Sequence, residues 1–253
     1  MTAQLIAGAS VTGLVMGGLL DPLGQRLAQR SVQEQRRRDE ASGGPSGASP
    51  LDHSAQPPRL LPVGVSPVRT VGAAVVTGVL AAGGANRFGA HLVLLPFTAF
   101  FGVLAVVSTT DLSYGLIPRR LVYPGLAAVL GLLVAVAAVD GEWHRLATAG
   151  IGAVATYAVF FVIWWLAPRG IGFGDVRLSA LIGLATGWIG LLDVYVALVS
   201  AFIAGLLVGV ATTVLRGTGR RTRIPFAPAL AAGAIVAVLW GAPIVQAIFH
   251  RPV

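Results

Sequence analysis

LVLLPFTAFFGVLAVVSTTDLSYGLIPRRLVYP, residues Leu92 to Pro124, contains the pattern that repeats along this chain. Its first part, Leu92–Thr109, carries no charge. It is long enough to cross a hydrocarbon layer about 30 Å thick, which takes roughly 20 apolar residues, with a range of about 17–25. A lone carboxylate, Asp111, follows at once. Gly115 and Pro118 then break the run, the pair Arg119–Arg120 comes next, and apolar residues resume at Leu121. An apolar span, a carboxylate at its end, a basic connection and a second span together point to a chain that crosses a membrane repeatedly.

The pattern extends in both directions. Apolar segments cover Leu5–Leu20, Val71–Ala85, Leu121–Val139, Leu146–Leu166, Leu178–Leu191, Val194–Leu215 and Ala227–Phe249. With Leu92–Thr109 they predict an all-α polytopic membrane protein of about eight transmembrane helices. The 253 residues are 55% hydrophobic and 11% charged, with a mean hydropathy of +0.80. A soluble domain carries about 25% charged residues, so a cytosolic enzyme is excluded. The chain has no cysteine, which removes disulfides, thiolate zinc sites and cysteine nucleophiles.

Ser31–Pro67 differs in kind. It opens with the charge run Gln33–Glu40 and continues through SGGPSGASP, Ser42 to Pro50. Such a stretch buries too little apolar surface to offset its ordering entropy, and it is expected to be a long, flexible first cytoplasmic loop. The chain then divides into 1–30, a first transmembrane helix with its basic end; 31–67, the low-complexity loop; and 68–253, the membrane core. The first four residues, MTAQ, hold no basic side chain and the arginines follow the first apolar run. That polarity is wrong for a cleavable signal peptide and predicts an N-terminus outside. With that orientation, 15 of the 18 arginines fall on the cytoplasmic side, leaving Arg87, Arg145 and Arg251 outside. The formal charge of +8 therefore reports orientation, and no nucleic-acid partner is needed to account for it.

Most of the ten acidic residues have ordinary places. Glu34, Asp39, Glu40 and Asp52 sit in the loop, Asp140, Glu142 and Asp193 at the outer rim, and Asp21 just past the first span. Asp111 and Asp175 remain, both at cytoplasmic helix ends. A single Asp before an apolar helix, as in Asp175-VRLSALIGLA, is also a good N-cap. Two carboxylates that approach each other cannot easily both ionise, and share a proton. One can then take a proton from water while the other protonates a carbonyl oxygen, the chemistry of an aspartic protease. Gly170, Gly172 and Gly174 alternate ahead of Asp175, leaving room for a backbone or substrate strand to approach. A phosphate-binding turn would need a following Lys and a preceding strand, and neither is present. The four histidines, His53, His91, His144 and His250, have no metal-ligand spacing, and no metal or other cofactor is expected.

Three stretches, DLSYGLIPRRLVYP, GFGDVRLSALIG and IPFAPALAAGAIVA (Ile224 to Ala237), resemble the type IV prepilin peptidases, also called leader peptidases, among the membrane GxGD aspartic proteases. The resemblance covers about Leu92 to Trp240. It implies that Asp111 and Asp175 are the catalytic pair, that Gly172 and Gly174 shape the site, and that 68–253 is the peptidase core. The substrates it implies are prepilin or pseudopilin precursors, with a short basic leader ahead of an apolar helix. It places the chain in a bacterial inner (plasma) membrane, in contact with lipid, with the site facing the cytoplasm. Arg177 and Arg119 flank the pair and could tune it. Many bacterial members carry paired CxxC motifs in the first cytoplasmic loop and also methylate the new N-terminus. This chain has no Cys, so the resemblance carries the peptidase step and not the methylation. The family's usual Asn after Ile-Pro is Arg119 here. A proton-coupled transporter also uses intramembrane carboxylates, but Asp111 and Asp175 lie at one edge and the halves of the chain do not resemble each other. A non-catalytic membrane scaffold descended from a peptidase would not need both Asp and GFGD.

Overall fold

Where no water is available to hydrogen-bond the backbone, an apolar run must satisfy its N–H and C=O groups within itself, and a helix does so. The computed structural model describes residues 2–41, 67–88, 91–167, 171–216 and 226–249. Among them run eight helices: α1 (Thr2–Ala41), α2 (Pro67–Phe88), α3 (Leu94–Tyr114), α4 (Arg119–Asp140), α5 (Trp143–Leu166), α6 (Phe173–Ile189), α7 (Leu191–Arg216) and α8 (Ala227–Phe249). Six of them, α2 to α5, α7 and α8, are long and apolar enough to cross a membrane, and the chain is a multi-pass membrane protein. Of the eight expected spans, α1 and α6 fall outside these six. α6 has only 17 residues.

α1 departs from expectation at its far end. The sequence suggests a flexible loop from Ser31, yet the helix continues to Ala41. The residues concerned, SVQEQRRRDEA, are dominated by Gln, Glu and Arg, all good helix formers. Glu34 also reaches Arg120 of α4 at 3.2 Å. The rest of that loop, 42–66, lies outside the described residues.

Sequential helices pack as the pairs α1–α2, α5–α6 and α7–α8, and α3 touches α1, α2, α4, α6 and α8. α3 is the inner helix, 78% of its apolar window being buried against 22% for α5 and for α7. The outward faces of α5 and α7 expose Val154, Phe161, Leu206, Leu207 and Val214. On a soluble monomer so large an apolar surface would be a liability; on a multi-pass membrane protein it suits helices that are long and apolar enough to cross a bilayer. α6 is enclosed, every residue from Leu181 to Trp188 being buried.

The α5–α6 contact is a backbone contact. A Cβ on Gly183 would collide with the Thr156 hydroxyl and the Gly152 carbonyl, and one on Gly187 would lie 2.7 Å from the Thr148 carbonyl. Small residues at helix crossings allow this approach in lipid. The Thr156 hydroxyl lies 2.9 Å from the Ser179 carbonyl oxygen across the pair. α6 is thereby held in place from its second turn onward.

Candidate active site

Asp111 occupies the last turn of α3. That helix stops because Gly115 adopts φ 60°, the left-handed conformation, and its N–H bonds the Asp111 carbonyl at 2.8 Å. Glycine takes this conformation without the penalty a side chain brings. The chain then runs out through Leu116 and Ile117 to Pro118, whose extended backbone precedes α4. Ile117 lands on α6: a Cβ on Gly174 would stand 2.7 Å from the Ile117 Cβ. The α3–α4 connection therefore brings the start of α6 up to the end of α3, and glycine at 174 allows the contact.

Asp175 is the third residue of α6, with Gly172 at the N-cap. The N-cap position that the sequence suggests for Asp175 thus belongs to Gly172. The Asp175 backbone N–H donates to the Gly172 carbonyl at 3.0 Å, and the Gly172 N–H donates back to Asp175 Oδ2 at 3.2 Å. Its other oxygen, Oδ1, is buried with no hydrogen-bond partner among the described residues. Asp111 Oδ2 accepts the N–H of Ala227, the first residue of α8, at 3.0 Å. Each carboxylate therefore sits at a helix N-terminus, Asp175 on its own helix and Asp111 on α8, where free N–H groups and the helix dipole favour negative charge.

Both side chains are 7% exposed. Asp175 lies outside the six apolar spans. Burial, and after it the nearby Asp111 charge, push its carboxyl from 3.8 up to about 7, against the smaller pull of the Gly172 N–H. The structure thus brings the two carboxylates from separate helices within electrostatic reach of each other. Between pH 3.8 and about 7 the folded protein holds a proton at Asp175 that the unfolded chain releases. Folding stability therefore falls as pH rises through that window. Asp175→Asn removes the buried charge. It is expected to melt several degrees above the native protein at pH 8, the gap closing toward pH 4, as differential scanning fluorimetry in detergent would read.

The remaining predicted site residues fall as follows. Gly174 meets Ile117, while a Cβ on Gly172 would meet Asp175 Oδ2 at 3.3 Å. Arg119 opens α4 and is exposed. The Arg177 guanidinium lies 4.6 Å from the Phe173 ring and 5.5 Å from the Tyr123 ring. It stacks as a cation over two aromatic faces, and the charge that acts on Asp175 is that of Asp111. A substitution at 174 acts on backbone spacing and one at 172 only on a rotatable carboxylate. Gly174→Ala is expected to melt several degrees below the native protein, as overpacking of a close contact does, and Gly172→Ala by far less. Thermal melts in detergent would rank them.

The sequence alone misses a third carboxylate. Asp21, which it leaves just past the first span, is fully buried inside α1. Gln25 Nε2 donates to its Oδ2, as does Thr70 Oγ1 of α2 at 2.8 Å, and Thr109 Oγ1 of α3 lies 3.2 Å from Oδ1. The one local signal is the i, i+4 spacing of Asp21 and Gln25, which places both on one helix face. Asp193, expected at the outer rim, is also buried, in the first turn of α7.

A prepilin leader peptidase/N-methyltransferase of Bacillus subtilis is 35% identical over 69% of this chain and 67% of its own length. Proteins of the same description from Pseudomonas putida and Burkholderia pseudomallei are 37% and 35% identical, over 69% and 67% of this chain. This chain spans 58% and 54% of their lengths. No solved structure matches the chain. Residues 98–210, the stretch from α3 through α7 that carries Asp111 and Asp175, match the type IV leader peptidase family, and it is to this family that the chain belongs.

Proposed function

We propose that the protein is a membrane aspartic endopeptidase that removes the short basic leader from prepilin-like precursors. The observation that carries this reading is the buried pair, Asp111 and Asp175, with burial, and after it the Asp111 charge, pushing the Asp175 carboxyl up to about 7. A pair of this kind shares one proton. In this reading Asp111, receiving the Ala227 N–H at the start of α8, takes the role of base, and Asp175 that of acid.

In the proposed step the Asp111 carboxylate takes a proton from water and the water oxygen bonds to the scissile carbonyl carbon. Asp175 donates its proton to the carbonyl oxygen, leaving a neutral gem-diol. Its collapse re-forms the carbonyl as the C–N bond breaks: one gem-diol hydroxyl returns its proton to the Asp175 carboxylate, and the leaving nitrogen takes up the proton that Asp111 acquired, which restores the pair. The two acids come from different helix pairs, so substrate enters between them, its apolar helix staying in the membrane. The arginine distribution supports a site facing the cytoplasm in a bacterial inner membrane. Without cysteine in the chain, the proposal covers the peptidase step alone.

The test is a cleavage assay with membranes holding the protein and a prepilin from the same genome. The expected product has lost its leader, read by intact mass, and the same mass shows whether its new N-terminus is methylated. An uncleaved precursor under conditions where a relative processes it would overturn the reading.

A further inference from the structure

Nothing in the proposed chemistry uses Asp21, yet a fully buried carboxylate persists only where donors replace its hydration. Its donors, Gln25, Thr70 and Thr109, come from α1, α2 and α3, so this one side chain ties together the first three helices. The tie lands at a particular place. Thr109 precedes Asp111 by two residues, just ahead of the last turn of α3, which runs from Asp111 to Gly115. Its hydroxyl is shared between Asp21 and the Val106 carbonyl, 2.9 Å away. On the same face a Cβ on Gly24 would collide with the Val106 side chain, so α1 presses directly on α3 one turn before Asp111. The opposite constraint on that turn is the bond from the Ala227 N–H to the Asp111 carboxylate.

Resting on the dyad reading, we infer that Asp21 is a positioning residue for the peptidase. Its carboxylate, acting through Thr109, fixes the last turns of α3 and so the placement of Asp111 against Ala227 and Asp175. A carboxylate that served only to staple the helices would change how much folded protein there is. A positioning residue changes the rate of the folded protein. A helix turn left free to shift misplaces the base, and a misplacement of about 1 Å costs roughly a hundredfold in rate.

Thr109→Val keeps the shape of the side chain and removes the hydroxyl, Thr109→Ser keeps the hydroxyl, and Asp21→Asn keeps the size and removes the charge. Each is purified in detergent, its folded fraction measured by thermal melt, and kcat and KM determined on one prepilin beside Asp111→Asn. The expected result is a kcat lower by about 10- to 100-fold in Thr109→Val and Asp21→Asn, at unchanged KM, with Thr109→Ser close to the native rate. Native kcat in folded Thr109→Val, or a Thr109→Ser as slow as Thr109→Val, overturns the inference. Should Asp21→Asn not accumulate, the Thr109 pair decides alone. Cleavage by Asp111→Asn would overturn the dyad reading itself. An inactive Asp111→Asn beside a fully active Thr109→Val overturns only the role of Asp21.

Discussion

Asp111→Asn and Asp175→Asn are each expected to stop leader removal, while both proteins should still accumulate as folded membrane proteins. Each change removes one of the two proton transfers on which the proposed step depends, and each such transfer contributes about 10²–10⁴-fold. The losses do not add, because a base without its acid partner has nothing to complete: the double variant is as inactive as either single one. The folded state should not suffer. An Asn at 111 can still accept the Ala227 N–H through its carbonyl oxygen, and an Asn at 175 can accept that of Gly172. At 175 the neutral amide also relieves the burial and repulsion that push this carboxyl up to about 7. Activity and stability therefore move in opposite directions at this residue, as expected for a site that holds an uncomfortable charge for its chemistry. Processing by either variant would sink the dyad, and loss of folded protein would make it a structural pair instead.

The outline of this arrangement is legible in the sequence because its signals are local. An uncharged run of the length of Leu92–Thr109 has few folds open to it, and Gly115 followed by Pro118 marks where α3 must end. GFGD announces itself, since three alternating glycines before an acid have little use inside an apolar helix. What the sequence hides is what depends on distant partners. Asp111 owes its hydrogen bond to a backbone N–H 116 positions away, and the type of residue 227 carries no trace of that. Asp21 looks like an ordinary polar residue at a helix end. Its burial is set by Thr70 and Thr109, 49 and 88 positions along the chain. The extension of α1 to Ala41 is hidden for another reason. A charged, Gln-rich stretch suits a solvated loop and an exposed helix equally, and the contact of Glu34 with Arg120 of α4 favours the second.

Gly183→Ala and Gly150→Ala are the same substitution in neighbouring helices, and they should change stability in opposite directions. Gly150 lies on the exposed side of α5 with nothing within 4 Å of an added Cβ. Alanine there gains what glycine gives up inside a helix, about 0.5–1 kcal/mol. At Gly183 the same methyl meets the Thr156 hydroxyl and the Gly152 carbonyl. One of these is backbone and the other is engaged with the Ser179 carbonyl, so neither can turn aside. Relief requires α5 and α6 to part, which costs about 1–3 kcal/mol as overpacking and more if the crossing is lost. At about 2–4 °C per kcal/mol for a chain of this size, Gly183→Ala should melt roughly 5–10 °C below the native protein and Gly150→Ala slightly above it. The effect reaches the site through α6. Asp175 lies one turn before Ser179, and the Ile117–Gly174 contact presupposes that α6 starts where the α5 crossing puts it. Gly183→Ala should therefore lose processing in the fraction that does fold, whereas Gly150→Ala keeps it. Equal melting temperatures for the two variants would show that α5 and α6 do not meet backbone to backbone, and would remove the reason for the placement of Asp175.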